Sequence, residues 1–275
     1  MIFYGKIKEH KQIRNNILEL IDTAEAQSIK QSNDYYNDDI TRSDWANSGD
    51  YERPWVKKLL PYFMPEMLKM TNLAGYKAVI EAFQVYERAI PMMMTAAGTV
   101  PAAKVLVVGA GVAGLQAIAT AKRMGAVVFA TDVRMASKEQ VESLGGKFLT
   151  VEGAENLETE GGYAKEASDD FKKKQEELLT ETLKKIDIII CTALIPGREA
   201  PKIIKEKMFK NIPSGSVIYD LAAIQGGNTV FTEVDKIVEK NGVKILGEAN
   251  ILNKLPVSAS NLYAKNVFNF ISNLY

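Results

Sequence analysis

Lys104–Arg134, KVLVVGAGVAGLQAIATAKRMGAVVFATDVR, is the stretch from which the rest of the chain can be placed. Val105, Leu106, Val107 and Val108 form an apolar run of strand length. Gly109, Ala110, Gly111, Val112, Ala113 and Gly114 then set G-x-G-x-x-G where that strand ends. Gly109 permits a tight turn, Gly111 lets backbone approach a pyrophosphate, and Gly114 lets the following helix pack on the strand. That helix, expected over about Val112–Met124, aims its unpaired N–H groups and positive dipole end at the phosphates. Val127–Thr131 supplies a second strand, closed by Asp132. The carboxylate stands eighteen residues after Gly114, where it can accept from an adenosine ribose and would repel a 2′-phosphate. NAD(H) is therefore expected over NADP(H), with Arg134 near enough to bear on the choice.

Composition narrows the class. With 275 residues the chain can bury a full core, as one large domain or two small ones. Lys plus Arg and Asp plus Glu both number 34, so no basic excess draws nucleic acid or an anionic membrane surface. The one cysteine, Cys191, lies in the apolar run Ile186–Ile195 and reads as a buried strand residue in a reducing compartment. No apolar run reaches the roughly 20 residues of a membrane helix, and MIFYGKIKEHK lacks the apolar core of a secretory signal, so a soluble chain is expected. No metal site is expected.

Ahead of the glycine loop, Ile13, Ile17, Leu18, Ile21 and Ala24 predict an amphipathic helix over about Lys11–Ile29, followed by a polar arm to Pro54 that carries Trp45 and Tyr51. Leu59–Ala89 reads as mostly helical, with Leu73, Tyr76, Ala78, Val79, Ile80 and Phe83 as its apolar contacts; Met92, Met93 and Met94 read as core filler. After Asp132, Ser137 and Gln140 form a capping-box pattern for a helix ending near Gly145, and Lys147–Val151 gives a third strand. Glu152–Gly162 reads either as a solvated connection or as a mobile lid, ahead of a charged helix over about Ala164–Lys185. Ile186–Cys191 is a buried strand whose exit lies at the carboxyl edge, where ligands bind. Pro201 is expected to open a helix, Ser216–Leu221 to form a strand, and Thr232 and Asp235 to start a short helix. Val243–Gly247 gives a sixth strand, and a last helix, about Ser258–Leu274, turns Leu262, Val267, Phe268 and Ile271 to the body. The fold class is α/β: a Rossmann-type doubly wound parallel sheet with an amino-terminal helical or irregular extension. Its expected divisions are 1–71 (extension), 72–103 (connecting helix and linker), 104–257 (NAD-binding domain) and 258–275 (C-terminal helix).

From Asn72 onward the chain resembles the NAD(H)-binding component, the soluble alpha-subunit domain, of proton-translocating NAD(P) transhydrogenase. Asn72-Leu73-Ala74-Gly75-Tyr76, Pro91–Thr99, the glycine loop, Ala130–Arg134, Gly161–Glu166, Thr192–Gly197 and Asp220-Leu221-Ala222 with Gly226-Gly227-Asn228 carry the resemblance. It implies Ala110, Gly111 and Val112 at the pyrophosphate, Asp132, Val133 and Arg134 at the adenosine, and Gly162, Gln175 and Leu194 lining the pocket. Tyr163 would ride on a loop that closes over the nucleotide. It further implies hydride transfer from NADH to NADP⁺ on a partner subunit, coupled through a membrane subunit to proton movement. The component would be a homodimer on the cytoplasmic side, peripheral to the inner face of the membrane, without nucleic acid.

Met1–Thr71 does not resemble the family's amino-terminal domain. Pro61–Met70 stands where the family has the Arg, Gln and Asp that orient the nicotinamide. Two nicotinamides exchange hydride directly, so no acid–base residue is assigned, in keeping with a single histidine, His10, outside the matched region. Two other readings stay open: an NAD(H)-binding fragment without turnover, and an amino-acid dehydrogenase of the alanine dehydrogenase type, which would want a His or Lys beside the nicotinamide.

Overall fold

The computed structural model describes residues 71–150, 169–194 and 199–274, all within the compact unit Pro61–Tyr275. The expected helix over Lys11–Ile29, the arm to Pro54, the Glu152–Gly162 loop and Ile195–Gly197 lie outside the described residues. Helical residues 71–85 (α1) lead to a separate two-stranded antiparallel hairpin, Met93–Thr95 (β1) with Gly98–Val100 (β2). Then come Lys104–Val108 (β3), Val112–Arg123 (α2), Val127–Thr131 (β4), Ser137–Ser143 (α3) and Lys147–Phe148 (β5). The remainder holds Asp169–Leu183 (α4), Ile188–Cys191 (β6), Val217–Asp220 (β7), Lys236–Lys240 (β8), Val243–Gly247 (β9) and Pro256–Leu274 (α5). Single 3₁₀ segments occupy Glu206–Lys210, Ala223–Gln225 and Ile251–Lys254.

One seven-stranded sheet runs β5-β4-β3-β6-β7-β9-β8. Every neighbouring pair is parallel except β8 with β9. Counted in chain order, the parallel strands stand 3-2-1-4-5-6, the doubly wound dinucleotide order expected from sequence. Its central strands are buried on both faces, which is why they read as unbroken apolar runs rather than alternating ones. Val105 and Val107 of β3 face one layer with Ile188 and Ile190 of β6, and α1 and α2 cover it with Ala78, Val79, Phe83, Ala117 and Ile118. Leu106 and Val108 face the other, with Ile189 and Cys191, under Leu179 and Leu183 of α4 and Met208 and Phe209 of the 3₁₀ turn. Helix α1 buries Gly75, Ala78, Val79, Ala82 and Phe83, a helical stripe that leaves Tyr76 on the exposed side, against expectation.

The second half departs most from the sequence reading. No helix follows Pro201: the β6-to-β7 crossover descends through an isolated bridge, Ile204 with Thr229, and the 3₁₀ turn at Glu206–Lys210. Thr232 and Asp235 start no helix either. Lys236–Lys240 is instead the antiparallel strand β8, turned onto β9 by Asn241-Gly242 at φ +53° and +75°, the pairing of left-handed residues that a two-residue hairpin requires. Ser137 does not cap α3. Ala136 holds that place without a side-chain hydrogen bond, and Ser137 is the first helical residue, buried. The third strand is two residues long, Lys147–Phe148.

The methionines are not core filler. Met92, Met93 and Met94 are exposed, the last two on the outlying hairpin, because β1 pairs only with β2 and never enters the main sheet. Phe268 of α5 is likewise exposed and Leu262 half-buried, so that helix does not turn its apolar side to the body as expected. The side chains of Val267 and Ile271 lie outside the described set. No helix among the described residues is long and apolar enough to cross a membrane.

Candidate dinucleotide-binding site

The loops leaving β3 and β6 lie side by side at the carboxyl edge, where the chain's crossovers part to opposite faces of the sheet. Such a switch point opens a crevice for ligands. Gly109 ends β3 at φ +95°. Its N–H donates to the Thr131 carbonyl at 2.9 Å, tying the loop to the end of β4. A Cβ at Gly114 would lie 1.9 Å from the Gly109 carbonyl oxygen, so helix α2 rests directly on the turn and admits no side chain there. Helix α2 starts from N-cap Gly111, which offers no side-chain acceptor, and its first turn carries no acid. Its positive end therefore faces the crevice uncompensated by its own side chains. A Cβ on Gly111 would meet only Arg134 Nη2, at 4.0 Å.

Asp132 closes β4 as expected, and its carboxylate is engaged by the protein. Oδ2 accepts from the Ala110 N–H at 2.7 Å and from Arg134 Nη2 at 2.9 Å. Oδ1 accepts from the Arg134 N–H and from Arg134 Nε, both at 2.9 Å. Ala110, Gly111 and Val112 thus stand at the head of α2, while Asp132, Val133 and Arg134 stand beside them at the end of β4. Leu194, after β6, is 45% exposed on the same edge, and Gln175 is half-buried on α4. Gly162 and Tyr163 lie outside the described residues.

Sequence reasoning gave no role to a second polar system that shapes this edge. Thr192, directly after β6, donates Oγ1 to the Gly109 carbonyl at 2.9 Å, coupling the two loops of the crevice. Asn228 is fully buried and grips the next peptide: its Oδ1 accepts from the Ala193 N–H at 3.1 Å and its Nδ2 donates to the Ala193 carbonyl at 2.8 Å. A further Nδ2 bond reaches the Pro201 carbonyl at 3.0 Å. Asn228 is held in turn by Asp220, buried at the end of β7, which accepts from the N–H groups of Ala222, Asn228 and Thr229 and from Thr232 Oγ1. Burial pushes the Asp220 carboxyl up against the opposing pull of these four donors. Burial, and then the charge of Asp220, push the neighbouring Cys191 thiol well up. The signal available in sequence was a polar Asp-Leu-Ala and Gly-Gly-Asn following an apolar strand, a place where unpaired polar groups would be costly.

Comparison with known proteins agrees with this geometry. The family model "Alanine dehydrogenase/PNT, C-terminal domain" matches residues 78–275. The first portion of NAD(P) transhydrogenase subunit alpha from Rhodospirillum rubrum, a subunit divided into separate chains, is 58% identical over 211 residues, covering 76% of this chain and 55% of that protein. Its counterpart in Rickettsia prowazekii is 52% identical over 209 residues, with the same coverage. The crystal structure of transhydrogenase from Sinorhizobium meliloti superposes with a TM-score of 0.65 at 49% identity, covering 76% of this chain and 55% of that one. The chain thus spans about half the length of these relatives. On the matched residues and these identities, the chain belongs to the alanine dehydrogenase/PNT C-terminal-domain family, within it as a homologue of NAD(P) transhydrogenase subunit alpha.

Proposed function

We propose that this chain is the NAD(H)-binding component of an NAD(P) transhydrogenase, presenting NADH for hydride transfer to NADP⁺ on a partner subunit in a reaction coupled to proton translocation. The observation that carries the reading is the joint arrangement of Gly109, Gly111, Gly114 and Asp132 at the switch point of the sheet, in a chain 58% identical to a transhydrogenase alpha subunit. In this reading Gly109, Ala110, Gly111, Val112 and Gly114 receive the pyrophosphate. Asp132, Val133 and Arg134 serve the adenosine, and Gly162, Tyr163, Gln175 and Leu194 line the pocket. Bound NADH supplies the hydride; these residues orient it and exclude water, and no side chain of this chain needs to move a proton. Residues 1–71, 72–103, 104–257 and 258–275 are its divisions. A homodimer held at the inner face of the membrane through membrane and NADP(H)-binding subunits completes the proposal.

A second reading, NAD(H) binding without turnover, is favoured by one sequence fact: Pro61–Met70 contains no Arg, Gln or Asp to orient a nicotinamide. Mixing the purified chain with an NADP(H)-binding subunit and following hydride transfer from NADH to an NADP⁺ analogue separates the two. Turnover supports the first reading; saturable NADH binding without turnover supports the second, and absence of NADH binding removes both.

A further inference from the structure

The Asp132 carboxylate has about four lone-pair positions, and the protein fills them all, three with donors of Arg134 and one with the Ala110 N–H. The pair is bidentate, side by side and well shielded, with side-chain exposures of 21% for Arg134 and 7% for Asp132. Its fork geometry is the one in which guanidinium and carboxylate bind most strongly and with a fixed orientation. The guanidinium also overlies the glycine loop, its Nη2 being the nearest atom to a Cβ placed on Gly111. In dinucleotide folds an arginine near the acidic position is what accommodates a 2′-phosphate. This chain therefore holds a carboxylate that disfavours such a phosphate and, clamped to it, a cation well suited to receive one.

We propose that Arg134 is a specificity-determining residue: a latent 2′-phosphate receptor that Asp132 keeps neutralised. The inference rests on the dinucleotide reading of the site. Selectivity against NADPH then has two components, repulsion of the phosphate by Asp132 and sequestration of the only guanidinium placed over the second glycine of the loop among the described residues. Removing the carboxylate's charge does more than end a repulsion. It releases a planar group whose five donors suit phosphate oxygens. Arg134 thus serves NAD(H) selectivity through what it is prevented from binding.

The test compares the unaltered chain with Asp132→Asn, Arg134→Ala and the double variant, titrating 5′-AMP, adenosine 2′,5′-bisphosphate, NADH and NADPH at one ionic strength. Asparagine keeps the size of the side chain and an oxygen for the Ala110 N–H. Asp132→Asn should tighten adenosine 2′,5′-bisphosphate about 10- to 100-fold relative to 5′-AMP, the range of hydrogen bonds to a charged group. Adding Arg134→Ala should remove that gain, and raising the salt should shrink it. Asp132→Ser, shorter and also neutral, should reproduce the gain, and melting curves identify any variant that fails to fold. No gain in either neutral variant, or a gain that survives in the double variant, overturns the proposal. Failure of the unaltered chain to bind NADH or 5′-AMP instead removes the binding reading, and this inference with it.

Discussion

Gly114 and Cys191 show what single positions in this sheet tolerate. With 1.9 Å between a Cβ at Gly114 and the Gly109 carbonyl oxygen, Gly114→Ala has to push α2 off the turn. Overpacking of this kind costs about 1–3 kcal/mol or more, so urea titration should show that loss together with loss of NADH binding. An alanine variant of unchanged stability would mean the helix does not rest on the loop. Cys191, fully buried with its thiol pushed up by burial and by Asp220, has little thiolate to offer. It should resist thiol reagents in the native chain and react only on unfolding; fast native labelling would place it at the surface. Asp132→Ala should weaken NADH by about 1–3 kcal/mol, the cost of leaving a charged hydrogen-bonding site unmade, as read by calorimetry. Residues with a fixed spacing were readable in advance: Gly109, Gly114 and Asp132 announce themselves within one stretch. Asn228 and Thr192 did not, because their partners lie 35 and 83 residues away in the chain and only the sheet brings them together.

At the scale of elements, the apolar strands and the helix after the glycine loop followed from sequence because each buries residues at its own period. Strand β8 was missed because Lys236, Ile237, Glu239 and Lys240 are all exposed, giving no buried face to reveal the alternation. The Asn241-Gly242 turn was the sign that remained. Helix α1 is fastened at its outer side by ions: Lys77 and Lys254 both reach Glu81, at 2.7 and 2.6 Å, and Lys254 also pairs with Glu248. Desolvation raises the Glu81 carboxyl, but its bonds and charges from Lys254 and Lys77 outweigh this and hold it below the ordinary 4.5. A depressed folded value means that the contribution is present above about 4.5 and is lost as pH falls through the folded value. Thermal melts across the acid range should therefore fall less steeply in Lys254→Met than in the unaltered chain. Parallel curves would show that the pair adds nothing.

For the molecule as a whole, the switch-point crevice predicts tighter binding of NADH than of NADPH, since Asp132 both opposes a 2′-phosphate and occupies Arg134. Equal affinities in paired titrations would sink that expectation. The doubly wound plan was readable because one motif fixes the first two strands and the handedness of their crossover, and chain order does the rest. The exposed hairpin β1–β2 was not, since Met92–Met94 carry the composition of a core while their backbone pairs only with its own neighbour. The antiparallel strand β8 has a different consequence, which concerns crowding. Sheets invite a stranger's backbone at an open border, and here one border is a charged ribbon bearing Lys236, Glu239 and Lys240, while the other, β5, is two residues long. A lysine-studded or very short margin is a poor template for an incoming chain, so this sheet resists accretion, and visitors are steered to the ends of its strands.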